Sequence, residues 1–175
     1  MTITIEPIES GHSEYIQEMA SDPEMAKTSD IPYPLAPGGA SAWIERMKAL
    51  REQNKALTFV ILADGRAVGG CQLGNLDCNG SRSGELGFFV GRPYWGRGYA
   101  TEGSRLLLKH AFCDLGLVCV RAGCLAWNEA AVRVLKKLGL EYTHDGPPPQ
   151  SSKFPESERF QFWILSRENW ELTFK

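Results

Sequence analysis

The chain has 175 residues, 43% of them hydrophobic with five Trp and eight Phe, so one domain of ordinary size can bury a sizeable core. A formal net charge of -2 argues against nucleic acid as the partner, because binding a phosphate backbone requires a basic face. No apolar run approaches the roughly 20 residues that span a bilayer, and the opening Met1-Thr-Ile-Thr-Ile-Glu-Pro lacks the basic start and apolar core of a secretory leader, so the chain reads as cytoplasmic with no membrane partner.

Ile3-Thr4-Ile5 alternates and reads as a short first strand. Over residues 11–20, Tyr15, Ile16 and Met19 are spaced like one helical face. Pro23, Pro32, Pro34 and Pro37 then punctuate a loop-rich stretch. Ser41 is placed to cap a second helix running to about residue 53, with Trp43, Ile44, Met47 and Leu50 inward. Residues 58–62 read as a strand, Asp64-Gly65 as a tight hairpin turn and residues 67–73 as the returning strand. After a polar loop at 79–83, residues 85–90 form another strand, and these three are expected to pair as an antiparallel meander. A Gly-rich turn at 95–100 leads into a helix from Thr101 to about Leu115, with Leu106, Leu107, Ala111 and Phe112 as its apolar face. Residues 118–124 read as a strand and 130–138 as a short helix stopped by Gly139, a good left-handed cap. A strand from 140 to 144, a loop opening at Gly146-Pro-Pro-Pro and a last strand at 160–165 complete the chain.

This order implies a single α/β (α+β) domain over residues 1–175, with a mixed, mostly antiparallel central sheet flanked by helices. A strand–helix–strand unit at its centre adds one parallel pair. The five cysteines, Cys71, Cys78, Cys113, Cys119 and Cys124, are odd in number, form no Cys-x-x-Cys pair and lie partly in apolar segments, which reads as buried free thiols. The three His have no ligand spacing with Cys or with one another, so no metal is expected.

The chemistry concentrates in Trp95-Gly96-Arg97-Gly98-Tyr99-Ala100-Thr101-Glu102, between a strand and a helix. Two glycines let the backbone turn tightly and approach a ligand. The helix start adds unpaired N–H groups and the positive end of a dipole, which together suit a pyrophosphate. A structural turn has the same spacing. A nucleotide triphosphatase loop does not fit, since no Gly-Lys-Ser/Thr follows, and a dinucleotide fingerprint needs Gly where Thr101 stands.

Glu85-Leu-Gly-Phe-Phe-Val, followed by Tyr94-Trp-Gly-Arg-Gly-Tyr-Ala-Thr-Glu, resembles the acetyl-CoA signature of the GNAT superfamily of N-acetyltransferases, in its RimJ/RimL-like branch. Asp30-Ile-Pro-Tyr-Pro with Trp43-Ile44, the run from Asn128 to Leu140, and Phe162-Trp-Ile-Leu-Ser-Arg-Glu-Asn-Trp, taken as a closing strand, resemble further stretches of that branch in the same order. The family motif Gln/Arg-x-x-Gly-x-Gly/Ala falls on Trp95, Gly98 and Ala100, with Trp in place of the basic or amide residue, a departure that recurs in the branch. The resemblance implies acetyl-CoA as co-substrate. Its pyrophosphate would sit in the Gly96–Gly98 turn on backbone N–H groups of Arg97, Gly98, Tyr99, Ala100 and Thr101. Its pantetheine arm would pair with the backbone of Phe89 and Val90 as an extra strand. Asn128 would bond the arm from the other side while also suiting an N-cap. Arg133, with Lys136 and Lys137, either meets the adenosine phosphates or faces solvent. Trp95 either wedges the turn or lines the acyl site.

The implied reaction is attack of a primary amine on the thioester. Glu85 is the candidate general base, directly or through a water, and otherwise a solvated strand residue or a partner for a neighbouring loop. It is expected to be buried beside Phe88. The Val90 N–H is the candidate oxyanion donor. Relatives carry Tyr or Ser where this chain has Leu135 and Ala131, which leaves the acid for the thiolate unassigned. By analogy with the branch, the acceptor meets Ile31, Pro32, Tyr33 and Trp43 with the 147–158 loop. It is a protein N-terminus or a small-molecule amine, and the enzyme is a monomer or a homodimer. The alternative is a non-catalytic acyl-CoA-binding sensor or regulatory module, motivated by the missing Tyr and Ser.

Overall fold

A computed structural model describes residues 2–76, 80 and 82–174. The strands are β1 (Ile3–Pro7), β2 (Leu57–Ala63), β3 (Arg66–Gly74), β4 (Ser83–Val90), β5 (Cys119–Leu125), β6 (Glu141–Gly146) and β7 (Phe160–Ser166). They form one sheet in the order β1-β2-β3-β4-β5-β7-β6. Every neighbouring pair is antiparallel except β4–β5, the parallel pair expected of the central strand–helix–strand unit. The β2–β3 hairpin closes through Asp64 and Gly65 at φ 48° and 79°. Two successive left-handed residues match the twist of the flanking strands.

The helices are α1 (Ser13–Ala20), α2 (Pro23–Ala26), α3 (Gly39–Glu52), α4 (Tyr99–Lys109), α5 (Glu129–Lys137) and α6 (Arg167–Phe174). They cover both faces of the sheet, and strand alternation decides which side chains they meet. On one face Ile61, Cys71, Leu73, Leu86, Val90, Val120 and Leu165 pack with Leu107 and Leu108 of α4, Leu135 of α5 and Trp170 of α6. On the other, Val60 packs with Ile16 and Met19 of α1, Met25 of α2 and Ile44 and Met47 of α3. Burying a side chain such as Ile44 contributes about 1.5–3 kcal/mol. We call these the α4 face and the α3 face.

Several boundaries differ from the sequence expectation, each for a local reason. The loop-rich stretch holds the short α2, started by Pro23 and capped by Asp22, whose Oδ1 accepts from Glu24 N–H at 2.8 Å. Helix α3 begins before Ser41, because Gly38 turns in at φ 76° and Gln17 Oε1 accepts from Ala40 N–H at 3.1 Å. A side chain from α1 therefore supplies the cap assigned to Ser41. Helix α4 starts at Tyr99 rather than Thr101, directly after Gly98, and ends at Lys109 in a π turn over His110–Asp114. Leu106 points outward at 38% exposure, and Leu108 lies in the core instead, on the helical face with Leu107 and Ala111. The expected closing strand stops at Ser166, whose hydroxyl accepts from Asn169 N–H at 3.1 Å and opens α6. The described cysteines are free thiols: Cys71 and Cys124 are buried, Cys119 is half-buried, and the π turn leaves Cys113 exposed. Cys78 and residues 79 and 81 of the 79–83 loop lie outside the described residues.

Candidate active site

Strands β4 and β5 pair only at Ser83↔Cys119, Gly84↔Val120 and Glu85↔Arg121. Beyond Glu85, β4 stays on β3 as far as Val90, while β5 stays on β7 as far as Leu125. The facing edges part there, and a gap opens toward the C-terminal ends of both strands. Antiparallel pairs alternate between bonded and non-bonded. Gly91 N–H donates to Val68 C=O at 3.0 Å, and Arg82 C=O accepts from Val118 N–H at 2.7 Å. By that alternation the main-chain groups of Leu86, Phe88 and Val90 face the gap, whereas those of Phe89 face Gly70 on β3. Val90 C=O already accepts from the Trp95 indole at 2.6 Å, so its N–H is what it offers the gap. Trp95 thus ties the turn to the strand that precedes it, although its ring remains 46% exposed.

After β4 the chain makes one 3-10 turn, Arg92–Tyr94, and enters the glycine turn. Gly96 and Gly98 hold φ of 74° and 84°, and a Cβ on either would meet nothing within 4 Å. Backbone conformation rather than crowding therefore requires glycine, and the space beside the turn is open. The first bond into α4 runs from Glu102 N–H to Gly98 C=O at 3.0 Å. The amides of Tyr99, Ala100 and Thr101 precede it and have no helical partner. Tyr99 is buried edge-on against Tyr94 at 6.3 Å, which anchors this end of the helix, while Arg97 is exposed. These open glycines and aligned amides fit a pyrophosphate. On the other limb Asn128 follows β5 and caps α5, its Oδ1 accepting from Ala131 N–H at 3.1 Å. Arg133 lies on the exposed side of α5 and donates to Glu129 at 3.2 Å.

Glu85 stands where the two strands part, with its side chain on the α3 face. It is half-buried, and its Oε2 accepts from Asn75 Nδ2 at 2.5 Å. Phe88, its expected apolar neighbour, lies on the opposite face, because positions three apart on a strand alternate. Arg121 shares the face with Glu85 and donates to Ser83 Oγ at 3.2 Å. Next along β4 on this face, Gly87 lets Gln72 lie across it, since a Cβ there would be 3.2 Å from Gln72 Cγ. Phe89 follows, lying over Gly70 and meeting Trp43 edge-on at 6.3 Å. Across the gap, Phe160 and Phe162 approach Gly123 on the same face. Leu135 and Ala131 both point into the core.

Of the other expected residues, Ile31 is half-buried and its C=O accepts from Lys153 Nζ at 2.7 Å, which joins it to the 147–158 loop. Tyr33 is 50% exposed, and Pro32 is exposed beside it. A cavity of about 620 Å³ lined by Ile3, Ile5, Leu57, Phe59, Leu106 and His110 lies at the β1 end of the sheet, three strands from the gap. The candidate site is a slot between backbone edges, apart from that cavity. Gln72, Asn75 and Lys153 are not legible in the sequence, since each owes its position to strand register or to loops distant in the chain, and Phe88 enters it only as an apolar neighbour of Glu85.

The model of the acetyltransferase (GNAT) domain matches residues 2–141. The chain is 25% identical over 168 residues to the uncharacterized N-acetyltransferase p20 of Bacillus licheniformis, covering 95% of this chain and 94% of that one. RimL, a ribosomal L7/L12 alpha-N-protein acetyltransferase solved with coenzyme A, superposes with TM-score 0.85 at 10% identity, over 95% of this chain and 94% of that one. The spermidine N-acetyltransferase of Vibrio cholerae, solved with CoA and spermine, superposes with TM-score 0.81 at 15% identity, over 97% and 98%. At these identities the two solved structures share the fold alone. The family model spans most of the chain, and on that ground the chain belongs to the GNAT family of acetyl-CoA-dependent N-acetyltransferases.

Proposed function

We propose that this chain transfers the acetyl group of acetyl-CoA to a primary amine, on a protein N-terminus or a small molecule, by direct attack on the thioester. The observation that carries this reading is the parting of β4 and β5 beyond Glu85, which leaves strand edges unpaired beside the amides that open α4. The pyrophosphate lies on the amides from Arg97 to Thr101 around Gly96 and Gly98, with Asn128 on the opposite limb. The pantetheine arm lies along β4 and bonds the gap-facing groups of Phe88 and Val90. Phe89, whose main chain faces β3, contributes its ring to the acceptor side instead. Arg133, exposed on α5 five residues after its Asn128 cap, is the basic residue that would meet the adenosine phosphates. The acceptor approaches from the α3 face, past Ile31, Tyr33 and Trp43.

The amine nitrogen attacks the carbonyl carbon, the C–S bond breaks, and the ammonium proton passes to Glu85 through a water. Val90 is five residue steps along the strand from Glu85, about 17 Å at about 3.3 Å each. A Glu side chain and one water do not bridge that distance, so the two cannot serve the same carbonyl. The Phe88 N–H is three residues away, about 10 Å along the strand, and it replaces Val90 as oxyanion donor. Val90 is left to the arm. The departing thiolate leaves without a dedicated acid, which a thiol of pKa about 8.5 allows.

Glu85→Gln tests the assignment in a thiol-release assay with N-terminal peptides and spermidine as acceptors. We expect kcat to fall at least about 100-fold, the usual worth of a positioned base, with acetyl-CoA affinity unchanged by calorimetry. A variant that keeps native kcat across pH removes Glu85 from the mechanism.

A further inference from the structure

Two segments on the α3 face are more than 120 residues apart in the chain yet are clasped together. Lys153 Nζ donates to the carbonyls of Ala26 and Ile31, each at 2.7 Å. Asp30 Oδ1 accepts from Ser152 Oγ at 2.6 Å and from Lys153 N–H at 3.1 Å. One ammonium and one carboxylate therefore join the segment after α2 to the loop before β7.

The far ends of these segments reach both rims of the gap. Asp22, the cap of α2, faces Arg92 at 3.9 Å, two residues beyond the end of β4. Glu158 accepts from the Trp127 indole at 3.2 Å, next to Asn128 and just beyond β5. Between them Phe154 packs on Phe160 at 6.1 Å, and the Phe160 ring approaches Gly123. The contacts run without interruption from the rim of β4, through α2, Asp30 and Lys153, to the rim of β5. They link residues just beyond the ends of β4 and β5, and we call this linkage the strap.

We propose that Lys153 is a positioning residue for the acceptor: it holds the strap in place and so delivers the amine to the thioester. The inference rests on the acetyl-transfer reading above. Among the described residues, the hydrogen bonds of Lys153 go to Ala26, Asp30 and Ile31 and none goes to the β4 edge or the glycine turn, so its role belongs to acceptor entry and not to acetyl-CoA binding. A lysine ammonium has three donors and no acceptor, and two of those donors are spent on the strap.

The test compares Lys153→Met, which keeps the stem and loses the donors, with Lys153→Arg, which keeps donors, and with Asp30→Ala, which opens the other half of the clasp. The probes are spermidine and a tetrapeptide beginning with Ser, each with acetyl-CoA in a thiol-release assay beside a calorimetric acetyl-CoA titration. For the probe the native chain turns over faster, we expect Lys153→Met to raise acceptor KM about tenfold, equivalent to about 1.4 kcal/mol. Asp30→Ala should change KM in the same direction and Lys153→Arg should restore it, with kcat within about twofold and acetyl-CoA affinity unchanged. An unchanged KM in Lys153→Met overturns the proposal. So does a KM that rises only together with weaker acetyl-CoA binding, which would mark a general loss of structure. A native chain that binds acetyl-CoA but acetylates neither probe also overturns it, whereas a native chain that fails to bind acetyl-CoA overturns the function on which it rests.

Discussion

Replacing Gly98 with Glu separates the two things this residue does. At φ 84° any side chain is strained, at a cost of about 1–3 kcal/mol for a non-glycine residue in the left-handed region. For a domain of this size each kcal/mol lowers Tm by about 2–4 °C, so a fall of several degrees is expected from backbone alone. Because a Cβ at 98 would meet nothing within 4 Å, the new carboxylate does not clash with the protein and reaches the open side of the turn. Two unit charges about 6 Å apart at an effective dielectric of about 40 repel by about 1.4 kcal/mol. A doubly charged pyrophosphate there doubles this, which weakens acetyl-CoA binding about 100-fold. Gly96→Ala, at φ 74° with the same open surroundings, carries a similar strain without charge and serves as the control. Calorimetric titration at about 50 mM and about 0.5 M salt reads the electrostatic part, which screening should shrink for Gly98→Glu and leave alone for Gly96→Ala. A folded Gly98→Glu variant that binds acetyl-CoA as tightly as the native chain would falsify the cradle.

Two further outcomes follow from packing. Gly70→Ala puts a Cβ 2.3 Å from Phe89 Cζ, an overpacking worth about 1–3 kcal/mol. Phe89→Leu in the same chain should recover part of that loss in urea melts, and strict additivity would mean that the two side chains do not share the space. Iodoacetamide at pH 8 should label exposed Cys113 well before Cys71 and Cys124. Burial pushes the Cys124 thiol up to about 11, partly offset by the Trp163 indole, and burial raises Cys71 further still. At pH 8 both remain neutral and covered, so peptide mapping that finds Cys124 labelled first would show that the α5 side of the core opens readily.

The local elements were legible in the chain because their signals are local. Strand alternation, the Asp64-Gly65 turn, the glycines at 96 and 98 and the Gly139 stop each depend on a residue's own backbone preferences. The same holds for the turn that opens α4, and with it the family resemblance. The start of α3 is not legible locally, because its cap comes from Gln17, 23 residues away. The helix after Ser166 was missed because a strand-like run leads straight into it.

What the sequence by itself determined was therefore the seven strands and the helices other than α2 and α6, the parallel pair expected around α4 and the chemistry of the glycine turn. Tertiary structure alone decided where the sheet parts, which amides face the gap, and that β7 enters between β5 and β6. It also closed Lys153 onto Ala26 and Ile31. The physical reason is register: a one-residue shift in pairing exchanges the face of every side chain and the direction of every main-chain donor. Register is set by contacts between segments far apart in the chain, and no local pattern encodes them.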